Sequence, residues 1–489
     1  MKLKNRRKAG DSSVPAPGAC PSPLHPDAGG IDLAATDCVV AVPPDRDPRP
    51  IRTFLLTTAG LRSLCDWLLQ CKVKTVAVEA TGNYWVPLYD ILEEAGIEVW
   101  LCNARHAKGV PGHKSDVQDA EWVRQLHTAG LLRRSYRPDK EVRPLRYLLR
   151  HRASLVQAAS RCEQHMQKVL NELNLRLHHV ISDLTGATGT RILDAIEAGE
   201  RDPSVLAKLK DHRCHASDAE LIAALTGNYQ SEYLFVLKQS RDEHRHVQKL
   251  IGELDAQLAG LMSALPTAPL QPAPPAQVVS VVEPTPAATP AKIDTNHAVI
   301  ERGPMPKIPP AKAKLQRNTP VAPIWQESWR VFGVDLSGIS GVSANVISVL
   351  MAEVGGAEHL KAHFSTSERF SSWLGLCPDN RVSGGKRLSA KTRKVSSRLA
   401  QALRMGALAA SYSNSLIGDF ARRMKARLGK AEGVTATAHK LARILYAVIT
   451  TGQPYDETKA FTPSLRAKSN RLSRLNKQAK ILGMQLVPI

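Results

Sequence analysis

Between Pro266 and Pro323 stand 14 of the chain's 32 prolines, mixed with alanine, threonine and lysine. Proline lacks a backbone N–H and fixes φ, so such a run continues neither a helix nor a central strand. Residues 266–324 therefore read as a linker with extended, polyproline-like stretches. The interval obliges a chain of 489 residues to fold in separate parts on either side of it. That length allows two to four domains, each with its own core.

The part before the interval changes character twice. Residues 1–28 begin basic and turn rich in Pro, Ala and Gly, which predicts a disordered segment; it lacks the apolar core of a signal peptide. From Gly30 the pattern is that of strands. Ile31 to Val42 is one β-rich apolar run, Ile51 to Thr57 a second, and Val73 to Ala80 a third that ends on Glu79. Helices are expected over 60–71 and 84–95, a strand over 98–102, and a further helix to about Ala129. That last helix opens with Ser115 and Gln118 in an S-x-x-Q capping box. Strands followed by alternating helix and strand predict a mixed α/β domain over 29–138.

Residues 139–265 read as helical. Leu148, Leu155, Ala159, Cys162, Met166, Val169 and Leu173 keep a three-four spacing that Arg152 interrupts. Leu237, Ser240, His244, Val247, Ile251, Leu254, Leu258, Leu261 and Leu265 extend over four heptads, which is coiled-coil spacing. An intramolecular helical hairpin and a subunit-pairing coiled coil would bury the same stripe. After the linker, 325–460 reads as a helical domain and 461–489 as a basic tail. The fold class is thus α/β plus all-α.

Charge is concentrated at the C-terminal end. The chain carries a formal net charge of +21, and from Arg381 to Ile489 there are 22 Lys and Arg against 4 Asp and Glu. Basic residues interleaved with apolar ones at helical spacing favour a nucleic-acid partner over a merely solvated tail. The eight cysteines contain no C-x-x-C pair and read as free thiols of a reducing compartment. With no run of about 18 apolar residues, no membrane span is expected, and the cytoplasm is the expected location.

Four carboxylates stand out by context. Asp32 lies in the first strand after two glycines, Glu79 ends an apolar strand, and Asp116 and Asp119 share a helix face at a spacing of three. A carboxylate at the end of a buried strand is costly unless its charge is compensated. Mg2+ (or Mn2+) takes oxygen ligands together with substrate phosphates, and two such ions about 4 Å apart serve phosphoryl transfer. Each acid has an ordinary structural explanation taken singly, helix-dipole placement for Asp116 and Asp119 included; their order along the chain favours the metal.

A second constellation surrounds Ser383, which precedes Gly384 and Gly385 and is flanked by Arg381, Lys386 and Arg387. Glycines let backbone approach a phosphate closely, and the cations would stabilise its charge. On chemistry alone this is first a phosphate-gripping turn; a serine nucleophile is the sharper reading, with Ser389, Ser396 and Ser397 as rivals. Lys391, Arg393 and Lys394 continue the basic run. Upstream, residues 336–343 resemble half of a helix-hairpin-helix, with Ser343 in place of the usual second glycine.

The blocks Gly30-Ile31-Asp32, Val76 to Gly82 around Glu79, Lys114 to Glu121, and Gly375 to Pro378 through Ser383 to Lys386 together resemble the DEDD transposases. These are insertion-sequence recombinases related to the Piv DNA invertase. The resemblance covers roughly 30–180 and 326–450. It implies an RNase H-type, RuvC-like N-terminal domain, a coiled-coil middle and a C-terminal transposase domain. It also implies a metal-binding quartet of Asp32, Glu79, Asp116 and Asp119. Ser383 would be a catalytic serine held as phosphoserine, with DNA contacts among Arg381, Gly384, Gly385, Lys386, Arg387, Lys391, Arg393 and Lys394. Some members are guided by a non-coding RNA of the element, so DNA, a guide RNA and a homo-oligomer (dimer or tetramer) are the implied partners. The rival reading is a RuvC-like junction nuclease that uses water and forms no covalent intermediate.

Overall fold

A computed structural model describes residues 23–80, 82–103, 116–269, 305, 307–313, 318–384, 386–389, 391–393 and 395–461, with a few positions after residue 472. The chain divides into two compact units, Met1–Arg137 and Pro138–Ile489.

The N-terminal unit is built on one sheet, in the order β3-β2-β1-β4-β5. Its strands are β1 Ala28–Leu33, β2 Asp37–Ala41, β3 Ile51–Leu55, β4 Thr75–Glu79 and β5 Glu98–Cys102. β1, β2 and β3 pair antiparallel, while β4 lies parallel to β1 and β5 parallel to β4. The apolar run Ile31 to Val42, expected as one stretch, is two strands. The chain reverses at Ala34–Thr36, where the Ala34 N–H donates to the Asp37 carbonyl at 3.0 Å. No glycine or proline marks that turn.

Alternation along the strands sorts the two faces. Ile31, Leu33, Val76 and Val78 point into a core shared with Leu61, Leu64 and Leu68 of helix α1 (Thr58–Gln70) and with Leu88 and Leu92 of helix α2 (Trp85–Glu94). The opposite face carries Val39, Ala41 and Ala77, and it is covered by helix α3 (Asp116–Thr128) through Ala120 and Val123. This five-stranded mixed sheet with helices on both faces is consistent with an RNase H-like domain.

The segment expected to be disordered up to residue 28 is tied down from Leu24 onward. The His25 N–H donates to the Thr128 carbonyl at 3.1 Å, and the His25 ring stacks on His127 with centroids 4.9 Å apart. Asp27 accepts from Arg46 at 2.7 Å and lies 3.0 Å from the Lys74 ammonium.

In the C-terminal unit, helix α4 (Arg143–Glu172) and helix α5 (Ser231–Ser263) lie side by side. The order of their contacts makes them antiparallel: Arg152 meets Asp255, Glu163 meets His244, and His165 meets Ser240. The heptad stripe of α5 is therefore occupied by a helix of its own chain. Ser240, His244, Val247, Ile251 and Leu258 are buried as the spacing predicts, but Asp255 and Met262 replace Leu254 and Leu261 on the buried face. An α-helix of 3.6 residues per turn drifts against a strict seven-residue repeat, and here the drift moves the seam by one position. Asp255 is accommodated because Arg152, which interrupts the apolar stripe of α4, binds it through two nitrogens. Between α4 and α5, short helices enclose a separate core around Leu170, Leu173, Ile192, Leu206 and Leu221.

Beyond the proline interval come helix α6 (Ile324–Phe332), helix α7 (Ala344–Val354), a hairpin of β6 (Arg381–Ser383) and β7 (Lys386–Ser389), and helices α8 (Arg398–Ala410), α9 (Leu416–Leu428) and α10 (Lys430–Thr451). α10 packs on α8 and α9, and α8 packs on α7. The seven cysteines among the described residues are free thiols. Among these residues no helix is long and apolar enough to cross a membrane.

Candidate active site

The placement of the acidic residues starts at Gly30. A Cβ there would lie 2.3 Å from both the Ala120 carbonyl oxygen and the Arg124 nitrogen. The backbone of α3 thus passes directly over β1, and only glycine admits that approach. Asp32 is two residues on, so it points to the same face of the sheet as Gly30, towards the side that α3 covers.

Glu79 reaches that face by the same alternation. β1 and β4 are in parallel register, with Gly30 opposite Ala77 and Ile31 opposite Val78. One step further sets Asp32 beside Glu79 on neighbouring strands, about 5 Å apart along the sheet. α3 runs against β4. Near its end His127 bonds Thr75 at 2.9 Å, and one turn earlier Val123 packs on Ala77. Two strand residues and one helical turn cover similar lengths, roughly 6–7 Å and 5.4 Å. The next step therefore brings the turn that contains Asp119 towards Glu79, with Asp116 one turn earlier on the helix.

Strand register and the crossing of α3 thus direct Asp32, Glu79 and Asp119 towards one end of one sheet face. The donor set is all carboxylate oxygen, which suits a hard divalent cation. Among the described residues, no three His, Cys, Asp or Glu side chains close into a metal-holding group. The Asp116 side chain and the Ser115 cap lie outside the described residues. Nearby Cys38 is buried, and burial, with Asp37 and Asp32 close by, pushes its thiol up to about 12, which disfavours the thiolate. Glu121, in the same block, is bound by Arg124 through two nitrogens at 2.6 and 2.7 Å, so it supports the helix.

Sequence reasoning gave no part to the polar cluster at the other end of α3. His127 is fully buried, its ring is flanked by His25 and Trp100, and burial, with His25 beside it, lowers its pKa to about 4. It fixes the C-terminal end of the helix that carries the acids. The signal was weak: a lone histidine near a helix end, whose partner Thr75 lies 52 positions earlier.

The serine lies in a different kind of environment. Ser383 pairs with Lys386 across a two-residue turn, so it occupies the tip of the β6-β7 hairpin. Gly384 in that turn has φ of +52° and open space where a Cβ would stand. Ser383 is exposed, and Val382 and Leu388 on the hairpin are exposed as well. Two of the three rival serines have local structural uses: Ser397 caps α8 by accepting from the Ala400 N–H, and Ser389 accepts from the Lys391 N–H, while Ser396 is exposed. Arg393 is exposed but donates to the Ser372 hydroxyl at 3.0 Å, which anchors the base of the hairpin. Lys391 is exposed beside it. Gly385, Lys394 and the side chains of Arg381, Lys386 and Arg387 lie outside the described residues.

A mixed sheet with helices on both faces and acidic residues at adjacent strand ends is the architecture of an RNase H-like class of domain. The comparisons with protein families agree with that class. Residues 29–175 match the transposase model of the DEDD, IS110 type, and residues 335–422 match the transposase IS116/IS110/IS902 family. No curated protein matches the chain. The two matches support an enzyme, a DNA transposase or recombinase that binds DNA. The DEDD domain suggests a divalent metal ion.

Proposed function

We propose that the protein cuts and rejoins the DNA of an insertion sequence, with Mg2+ (or Mn2+) held by Asp32, Glu79, Asp116 and Asp119 and with Ser383 as nucleophile. The reading is supported by the strand register and the crossing of α3, which direct Asp32, Glu79 and Asp119 towards one end of one sheet face. A pure binding protein gains nothing from clustered carboxylates facing a polyanion. When bound, the divalent ions would neutralise the non-bridging phosphate oxygens.

The chain's own residues supply the rest. The Ser383 oxygen attacks phosphorus and loses its proton to a base. The phosphorus–oxygen bond to the departing sugar breaks, and the sugar oxygen takes up a proton. The strand stays on the serine as a phosphodiester until a second sugar hydroxyl attacks phosphorus and releases the serine, so no bond energy is lost to hydrolysis. A serine on an exposed hairpin tip flanked by Gly384 and Gly385 suits this attack, because backbone there can approach a phosphate closely. Arg381, Lys386, Arg387, Lys391, Arg393 and Lys394 would bind the DNA backbone. The basic excess after residue 381 also fits an element-encoded guide RNA, and the working protein would be a homo-oligomer in the cytoplasm.

Incubation with labelled element DNA and Mg2+ tests the serine. The expected result is a protein–DNA adduct that survives denaturation and is absent with Ser383→Ala. Cleavage without any adduct, unchanged in Ser383→Ala, would overturn the serine step and assign a RuvC-like nuclease that uses water.

A further inference from the structure

Within the C-terminal unit, α8 and α9 are joined by a short turn that is fixed from several sides. Arg422 of α9 donates to the Ser411 and Ser413 carbonyls, both at 2.9 Å. The Ser413 hydroxyl donates to the Ala410 carbonyl at 2.7 Å, and Ser415 caps α9 by accepting from the Gly418 N–H at 3.2 Å. A Cβ on Gly418 would lie 2.3 Å from the Ser413 carbonyl oxygen, so α9 starts hard against the turn and only glycine admits the approach. Lys425 donates to the buried Ser411 hydroxyl at 2.7 Å. None of these bonds uses the Tyr412 side chain.

Tyr412 is the one aromatic residue of this turn, and it is 81% exposed. A single exposed apolar side chain is ordinary on a protein surface. Here the backbone beneath the ring is rigid, so its position is set before anything binds and little freedom is lost on binding. The Lys425 ammonium lies over one face, 5.5 Å from the ring centroid, while the exposure leaves the other face to solvent. Met405, seven positions earlier on α8, is 61% exposed and extends the apolar surface. The helices on either side are basic. α8 carries Arg398 and Arg404 and no acid; α9 carries Arg422, Arg423, Lys425 and Arg427 and a single acid, Asp419, which Arg422 binds. Pairing this face with a second copy of itself would set like charges against one another. A nucleic-acid strand matches both properties, its phosphates the cations and its bases the ring. In a duplex the bases already stack on each other, so the ring can take only an unpaired one.

We propose that Tyr412 is a stacking platform for one unpaired base of a bound nucleic-acid strand, with the adjoining phosphate on Lys425. The ammonium has three donors, of which the Ser411 hydroxyl takes one. The nature of the polymer rests on the proposed function; the platform rests on the fixed turn, the exposed ring and the cation over it.

The test uses the full chain in excess EDTA, so that binding is read without cleavage, with a fluorescent single-stranded oligonucleotide and the duplex of the same sequence. Tyr412→Ala is expected to weaken single-strand binding about tenfold and duplex binding by less than about twofold. Tyr412→Phe and Tyr412→Trp should keep the wild-type affinity, because the flat ring and not the hydroxyl does the stacking. Phe235→Ala on α5, which removes an aromatic ring that is 61% exposed, should stay within about twofold. The slope of log affinity against log salt should be unchanged in Tyr412→Ala and lower by about 0.7 in Lys425→Gln, one phosphate contact on a single strand. Tyr412→Ala should also keep the wild-type melting temperature, as an exposed ring outside the bonds of the turn requires. Wild-type single-strand affinity in Tyr412→Ala would overturn the proposal, and a fall in oligomer mass in that variant would then assign the ring to a second copy of the chain. A loss in Tyr412→Phe as large as in Tyr412→Ala, or an equal loss on duplex, would overturn the stacking role. Tyr412-dependent binding by a protein that neither cleaves nor forms an adduct would leave the platform standing and remove the transposase mechanism instead.

Discussion

The acidic end of the N-terminal sheet and the serine hairpin of the C-terminal unit are held in place by opposite means. Asp32 and Glu79 stand on adjacent strands whose other face is a closed apolar core, and the helix above them is pressed onto Gly30 at backbone distance. Ser383 stands on a two-stranded hairpin with exposed apolar side chains on it, and no described residue lies within 4 Å of where a Cβ would stand on its turn glycine, Gly384. An isolated two-stranded hairpin is marginally stable in water. The contrast teaches that the geometry of the acids comes from folding, whereas under the proposed function that of the serine would be left for a bound strand to complete.

Substitutions can break or sharpen this contrast. The largest effect is expected from Asp119→Asn, which should cut DNA cleavage by roughly a thousandfold while DNA binding and melting temperature persist; single-turnover cleavage and anisotropy read the two separately. Gly30→Ala should cost about 3 kcal/mol of stability, because α3 must move off the sheet, and should lose cleavage with it. Denaturant unfolding checks the first effect and the cleavage assay the second.

His127 gives a smaller, pH-dependent effect. Its folded pKa of about 4 lies below its ordinary 6.5, so the unfolded chain takes up the proton first. Stability is therefore full above about pH 6.5 and falls as pH drops towards 4, by about 2–3 kcal/mol at ~1.4 kcal/mol per unit. Unfolding between pH 7.5 and 4.5 should show this slope, and His127→Gln should flatten it. Gly384→Ala should be the mildest, about 1 kcal/mol of local strain from its positive φ. Its melting temperature should fall by no more than about 2 °C, with any loss of function confined to adduct formation. A melting temperature that falls as far as in Gly30→Ala would erase the contrast between the two sites.

What could be read from the sequence follows from what is local. Apolar runs that end on an acid, and a capping signal at the start of a helix, identified β4 with Glu79 and α3 with Asp119, since strand period and cap chemistry act over a few residues. The two glycines before Asp32 were visible, but not the reason for Gly30, which depends on where α3 crosses. The reversal at Ala34–Thr36 was hidden because its residues carry no turn preference. Arg152 read as a break in a stripe, although it lies within it; its partner Asp255 is 103 positions away. The hold on His25 was equally out of reach, for its contacts come from the far end of α3.

The proline interval, finally, is bridged by contacts that do not run through it. Arg150 meets Glu353 at a separation of 203 positions, and Arg330 donates to the carbonyls of Met262 and Leu265 while its own carbonyl accepts from the Ala268 N–H. The polypeptide need not be continuous for these contacts to form. Two separately made pieces, one ending near residue 270 and one starting near residue 305, should reassemble on mixing, and co-purification through a tag on either piece would show it. The molecule would then lend itself to a split design, in which bringing the pieces together decides when DNA is cut.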